Sequence, residues 1–252
     1  KSIKMKKCLF FFLTLPLICF SQTVFVDFKV IKNQEDYLAL EKIFKPYHQK
    51  MIAEGKMMAW YLCEVKTIDK TLENPPNYVT INVYKDQDQI DAYGKNWSLE
   101  NLKKAARTKF KSSEINRFLN REVSVENRRY HLEFIDQTIQ AGGDLKVGDE
   151  IGVGAMIQKT EDYEQVETQI YKPFVEEQIL KGNHRWWGFT KITDRSENAL
   201  QEFTHFTWNI NVPGKQFDPY IVQNQYISDK LTEIIVASRD AVSATIEVID
   251  RN

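Results

Sequence analysis

Cysteine is nearly absent from this chain. Of three in 252 residues, Cys8 and Cys19 lie in the N-terminal apolar run and only Cys63 lies beyond it. A single cysteine makes no internal disulfide and supplies no paired-cysteine metal or redox site. Glu64 is the only base beside it in sequence, so Cys63 reads as a small buried apolar side chain and not as a nucleophile. An excess of one charge is also missing. Lys and Arg number 34 against 35 Asp and Glu, a net charge of −1, which gives no reason to expect nucleic acid or an anionic membrane as partner. The basic run KKAARTKFK reads as the solvated side of a helix, and RRYH at Arg128 is too small for a nucleic-acid patch. The GVG at Gly152 lacks the third glycine of a dinucleotide loop, and there is neither a P-loop nor a G-x-S-x-G elbow. The four histidines, His48, His131, His184 and His205, show no H-x-x-x-H spacing, so no metal site is expected.

The N-terminus carries a targeting pattern. Met5 is followed by Lys6 and Lys7, the apolar run CLFFFLTLPLICF, and then SQT. Charge, short apolar core and small residues form a secretory signal, and the run is too short to span a bilayer comfortably. Residues 1–21 are expected to be a signal peptide cut after Ser21, with the four residues before Met5 read as a mis-assigned start. The mature protein would be periplasmic or extracellular, with no stable membrane insertion. A lipoprotein reading would modify Cys19, but Ile18 before it is not small.

Beyond the signal, one frame occurs twice. Lys45, Pro46, Ile52, Gly55 and Trp60 recur as Lys172, Pro173, Ile179, Gly182 and Trp187, all at one spacing. The same spacing aligns YVTINV from Tyr78 with HFTWNI from His205, so Thr80 meets Thr207 and Asn82 meets Asn209. Upstream, EDY at Glu35 matches EDY at Glu161 with one residue fewer between, so the second copy holds an insertion before its Lys-Pro. Near the ends, EFID from Glu133 matches EVID from Glu247. This is a domain duplication, with halves at 22–140 and 141–252.

Each half reads as β-α-β-β-α-β. TVFVDFKVI, MMAWYLCEVKTI, NYVTINVY and YHLEFID have strand composition, while Tyr37, Leu40, Ile43, Phe44, Tyr47 and Met51 recur at helical spacing up to Gly55. Pro46 and Pro173 fall inside the first helix of each half and should kink it. That element order is the split βαβ, ferredoxin-like unit, an α+β fold whose sheet needs cover on its second face.

On this frame the chain resembles the dimeric α/β-barrel superfamily, in a tandem version with both halves in one polypeptide. The repeated Lys-Pro, Gly, Trp and Tyr/His-x-Thr-x-Asn residues are also similar to those of an uncharacterised group of exported bacterial proteins. The resemblance implies an intramolecular barrel closed by the two sheets; a monomer with an internal pseudo-dimer or a homodimer would satisfy it. Superfamily members include cofactor-independent monooxygenases, haem-degrading and haem-binding proteins, and proteins of no known activity, so the fold does not select a function.

Strand periodicity sorts the candidate site residues. With Val79, Ile81, Val83, Phe206, Trp208 and Ile210 assigned to the helix side, the opposite face holds Tyr78, Thr80, Asn82, Glu133, His205, Thr207, Asn209 and Glu247. These eight are expected to line a cavity between the two sheets and to bind a small molecule there, or else to form a self-satisfied hydrogen-bond network. A monooxygenase reading would use the glutamate, asparagine and histidine groups as acid, base and orienting residues. A haem reading would use His184 and His205 on neighbouring strands. No cofactor is required by any motif, and no residue type singles out a catalytic group.

Overall fold

In the computed structural model, residues 22–69, 72–215, 217 and 224–252 are described; the expected signal peptide and its cleavage site lie outside them. The first half runs β1 (Thr23–Ile31), α1 (Gln34–Ala53), β2 (Ala59–Ile68), β3 (Tyr78–Tyr84), α2 (Gln87–Asn96), α3 (Leu99–Ala106), α4 (Ser112–Leu119) and β4 (Ser124–Gln137). The second runs β5 (Glu150–Gln158), α5 (Tyr163–Gln165), a π-helical stretch (Val166–Tyr171), α6 (Lys172–Leu180), β6 (His184–Arg195), β7 (His205–Asn211), α7 (Gln225–Ser238) and β8 (Arg239–Arg251). The described strands form one closed barrel in the order β1-β3-β2-β8-β5-β7-β6-β4, with every neighbouring pair antiparallel. Each half contributes four adjacent strands, and the seams are β2 with β8 and β4 with β6. The barrel therefore closes within one chain.

The repeated residues have matching structural tasks. Gly55 and Gly182 adopt positive φ (69° and 74°), where a Cβ is strained. Gly55 N–H donates to Ile52 O and Lys56 N–H to Met51 O; Gly182 N–H donates to Ile179 O and Asn183 N–H to Gln178 O. Both helices thus end in the same paired-carbonyl cap. Lys45 on α1 pairs with Asp250 on β8, and Lys172 on α6 pairs with Asp136 on β4 at 2.7 Å. Each repeated lysine therefore reaches the repeated aspartate of the other half and ties its helix across a seam.

The one-residue insertion has a local solution. Three residues, Lys42 to Phe44, separate Glu41 from Lys45, whereas four, Thr168 to Tyr171, separate Glu167 from Lys172. The second copy winds this segment as π-helix, which takes an extra residue per turn without shifting both ends. Pro46 consequently sits within the continuous α1, while Pro173 lies in the first turn of α6.

The two faces of the sheet are the reverse of the sequence assignment. A cluster fed by strands of both halves, including Val26, Val79, Leu132, Phe206, Trp208 and Ile246, fills the barrel interior, and no helix contributes to it. Tyr78, Thr80, Asn82 and Tyr84 alternate with those residues and face the helices. Tyr78 and Tyr84 pack in a cluster with Tyr37, Tyr47 and Met51 of α1. Eight strands enclose an interior that side chains can largely fill, and branched and aromatic groups do so here, leaving a small cavity of about 40 Å³ beside Phe28, Tyr130, Val153 and Phe206. Cys63 is in that interior, and burial pushes its thiol up and away from ionisation, as its apolar reading requires.

Candidate functional site

Because the interior is packed with apolar side chains, the expected inter-sheet ligand cavity is not where the polar residues meet. The space lies instead between the outer face of the first half's sheet and its helices. It is a chamber of about 570 Å³ bounded by β1, β3 and β4 below and by α1 and α2 above. β1 puts Phe25, Asp27 and Lys29 into it, because these alternate with the inward Val24, Val26 and Phe28.

Two carboxylates organise its polar side. Asp27, 3% exposed, accepts from Arg129 Nε at 2.7 Å and Nη2 at 3.2 Å, from Asn127 Nδ2 at 3.0 Å and from the Thr80 hydroxyl at 3.4 Å. Such a set of donors replaces the hydration a buried carboxylate loses. Glu41 on α1 is paired with Lys29 Nζ at 3.2 Å, and the same ammonium lies 5.3 Å from the centre of the Tyr37 ring. Burial first, and Glu41 next, push the Tyr37 phenol far above its ordinary range, so it remains a protonated donor.

The opposite wall is aromatic. The His48 ring stacks on Trp60 at 5.2 Å and 14°, Phe44 stacks on Trp97 at 6.0 Å and 14°, and Tyr84 and Tyr93 complete the lining. His48 is 6% exposed; burial, helped by Lys29, lowers its pKa to about 3. It is therefore a neutral imidazole, and its Nδ1 is buried with no hydrogen-bond partner.

The eight residues expected from the sequence are dispersed. Thr80 and Asn82 line this chamber. Tyr78 is buried and borders a separate cavity of about 300 Å³ with Glu41 and Glu64. Thr207 and Asn209 line a groove in the second half. Glu133 is exposed, and Glu247 is a surface partner of Lys66 at 3.0 Å, so neither is the buried acid or base of the sequence reading. Long polar ends at the seam between halves reach water instead of crossing the barrel. His205 is buried, with Nδ1 at 2.9 Å from Thr204 Oγ1 and Nε2 at 3.3 Å from Glu164. His184 Nδ1 is 2.8 Å from Asn211 Oδ1. Neither histidine lines the chamber beneath α1. Among the described residues, no cluster of three or more His, Cys, Asp or Glu could hold a metal ion.

Sequence reasoning missed Asp27, Lys29, Glu41, His48 and Arg129. A signal existed for one of them. The matched tripeptides extend to EDYLALE and EDYEQVE, so Tyr37 and Glu41 recur as Tyr163 and Glu167, one helical turn apart. Glu167 is fully buried and paired with Arg239 at 2.9 Å.

No protein-family model and no curated protein matches the chain. Solved structures do match in fold. A monooxygenase candidate from Lactobacillus acidophilus NCFM is 10% identical, with a TM-score of 0.55 over 92% of this chain and 98% of its own. A second monooxygenase candidate, from Fusobacterium nucleatum, is 11% identical, with a TM-score of 0.53 over 92% and 94%. An anthrone oxidase-like protein is 12% identical, with a TM-score of 0.50 over 92% and 93%. The chain has the dimeric α/β-barrel fold over nearly its whole described length, and identities this low speak to fold alone.

Proposed function

We propose that this is an exported protein that binds a small molecule in the chamber beneath α1. The chamber carries the reading: its 570 Å³ falls within the ~300–1,000 Å³ of small-molecule sites. Its rings offer a flat apolar body a face to stack on, and the unpartnered His48 Nδ1 offers one polar contact. Oxygenation, suggested by the monooxygenase candidates of the same fold, is the weaker reading. A histidine with a pKa of about 3 is a hydrogen-bonding group and a poor store for a proton.

The test is mass spectrometry of a denatured extract of the purified mature chain. One compound at near-stoichiometric amount is expected, lost in Asn82→Leu while melting is unchanged. An empty extract together with equal behaviour of both proteins would refute binding. Oxygen uptake when the extracted compound is added back would instead make the protein an enzyme.

Export rests on the Met5-Lys6-Lys7 charge and the apolar run after it. The intact mass of the exported chain should begin at Gln22, and retention of residues 11–20 would overturn it. Closure of the barrel within one chain supports a monomer, which light scattering would report as the mass of a single chain.

A further inference from the structure

We propose that the second half carries its own binding site, an open groove across β5, β7 and β8 that takes a small hydroxylated carboxylate, with Arg239 as the anion's partner. The groove has a volume of about 370 Å³ and shares no lining residue with the chamber of the first half. That is room for a molecule the size of a sugar acid, at the lower end of small-molecule sites.

Its existence follows from two strand positions. Cross-strand register places Asp27 opposite Thr80 and Gly154 opposite Thr207; it places Phe25 opposite Asn82 and Gly152 opposite Asn209. The second copy thus has glycine where the first has Phe25 and Asp27. Gly152 lowers the floor, and the groove opens where the first half has the Phe25 ring; above Gly154 the Met156 and Thr207 side chains close in instead.

Chemistry then narrows the ligand. Among the described residues that line the groove, Arg239 is the one charged side chain. It is held in place from behind: Nε lies 2.9 Å from Glu167 Oε1, Nη1 donates to Ile235 O at 2.8 Å, and the guanidinium carbon is 5.4 Å from the centre of the Tyr171 ring. Its side chain is only 12% exposed. A guanidinium fixed this way presents Nη2 to an anion with little further loss of freedom. Asn209 supplies the second requirement. Its Oδ1 is buried and has no hydrogen-bond partner, so it asks for a donor, which a ligand hydroxyl provides. Thr207 and Thr245 beside it add neutral polar groups and no charge. A carboxylate at Arg239 and a hydroxyl at Asn209 satisfy the two groups together.

The experiment is isothermal titration of the full mature chain with D-gluconate, with glycerate as a shorter carboxylate and D-glucose as the neutral control. Gluconate or glycerate should bind at least about tenfold more tightly than glucose. Arg239→Met should remove the preference. Because that change strands Glu167, a second variant keeps the ion pair: Gly152→Leu fills the floor. A Cβ there meets nothing nearer than Asn209 Cβ at 3.5 Å, and φ at this glycine needs no left-handed backbone. Gly152→Leu should weaken gluconate at least about tenfold with unchanged melting. Glucose binding as well as gluconate, Gly152→Leu leaving the affinity intact, or neither carboxylate binding the wild-type chain would each overturn the proposal.

Discussion

The layer beneath α1 and the layer beneath α6 occupy matching places in two copies of one unit, yet they hold different chemistry. Under α1, Lys29 of β1 balances Glu41, and Asp27 is clamped by Arg129. Under the second copy's helix, the β1 position of Lys29 is Met156, and Glu167 draws its cation from Arg239 on β8 instead. The acid is retained and its counter-charge has moved to another strand. What duplication kept is the set of contacts that close the barrel and cap the helices. What it released is the outer face of the first strand of each half, where Phe25, Asp27 and Lys29 stand against Gly152, Gly154 and Met156.

The sharpest way to break this comparison is to cut the equivalent tryptophans. Trp187 is sealed among Tyr163, Val175 and Phe189, whereas Trp60 borders the chamber. Trp187→Ala should cost about 3–5 kcal/mol in urea unfolding. Trp60→Ala should cost visibly less, because the space it vacates opens onto the chamber and can take up water. Equal losses would mean that the chamber is filled in solution. Next in size is Lys29→Met, which copies the second half's residue into the first. It leaves Glu41 buried without its cation, and a loss of about 2–3 kcal/mol is expected, a discount on the full cost of breaking a buried pair because Lys29 is partly exposed.

A third test uses pH. Burial raises the Glu167 pKa from 4.5 to about 7, against the opposing effect of Arg239. A carboxyl whose folded pKa is raised leaves the folded state binding more protons than the unfolded one. Stability should therefore fall as pH rises from about 4.5 to about 7, by on the order of 2 kcal/mol. Glu167→Gln should flatten that slope, and Glu41→Gln should leave it in place. Denaturant midpoints across the window decide. The smallest effects belong to the shared frame. Lys45→Ala and Lys172→Ala each break a half-exposed pair across a seam and should cost less than about 1 kcal/mol apiece. The comparison predicts that the two losses are similar and nearly additive, which a double variant measures.

The architecture was legible because it was written twice. Gly55 with Gly182, Lys45 with Lys172 and the strand pairs YVTINV and HFTWNI give element order and duplication without any coordinates. The direction of the faces was not legible. Alternation in YVTINVY separates Val79 from Thr80 but carries no sign, and both residues are buried, at 0% and 3%. Only closure of the barrel decides that the wholly apolar set goes inward and that the mixed set meets the helices. Asp27 and Arg129 were invisible for another reason: they sit 102 residues apart and meet only through the β1–β4 register. Glu41 could have been found by reading EDYLALE against EDYEQVE for one residue further than the tripeptide.

The π-helical turn at Val166–Tyr171 also dates an event. Its extra residue is present in one copy, so it was gained or lost after the copies parted. An α-helix of fixed pitch would have passed that change on as a rotation of about 100° to everything downstream. The wider turn confined it, leaving Glu167 on one side and Lys172 on the other in the places their counterparts hold. A barrel made from two identical chains must accept every change on both sides at once. Here both walls belong to one polypeptide, so one wall can carry a change that the other lacks.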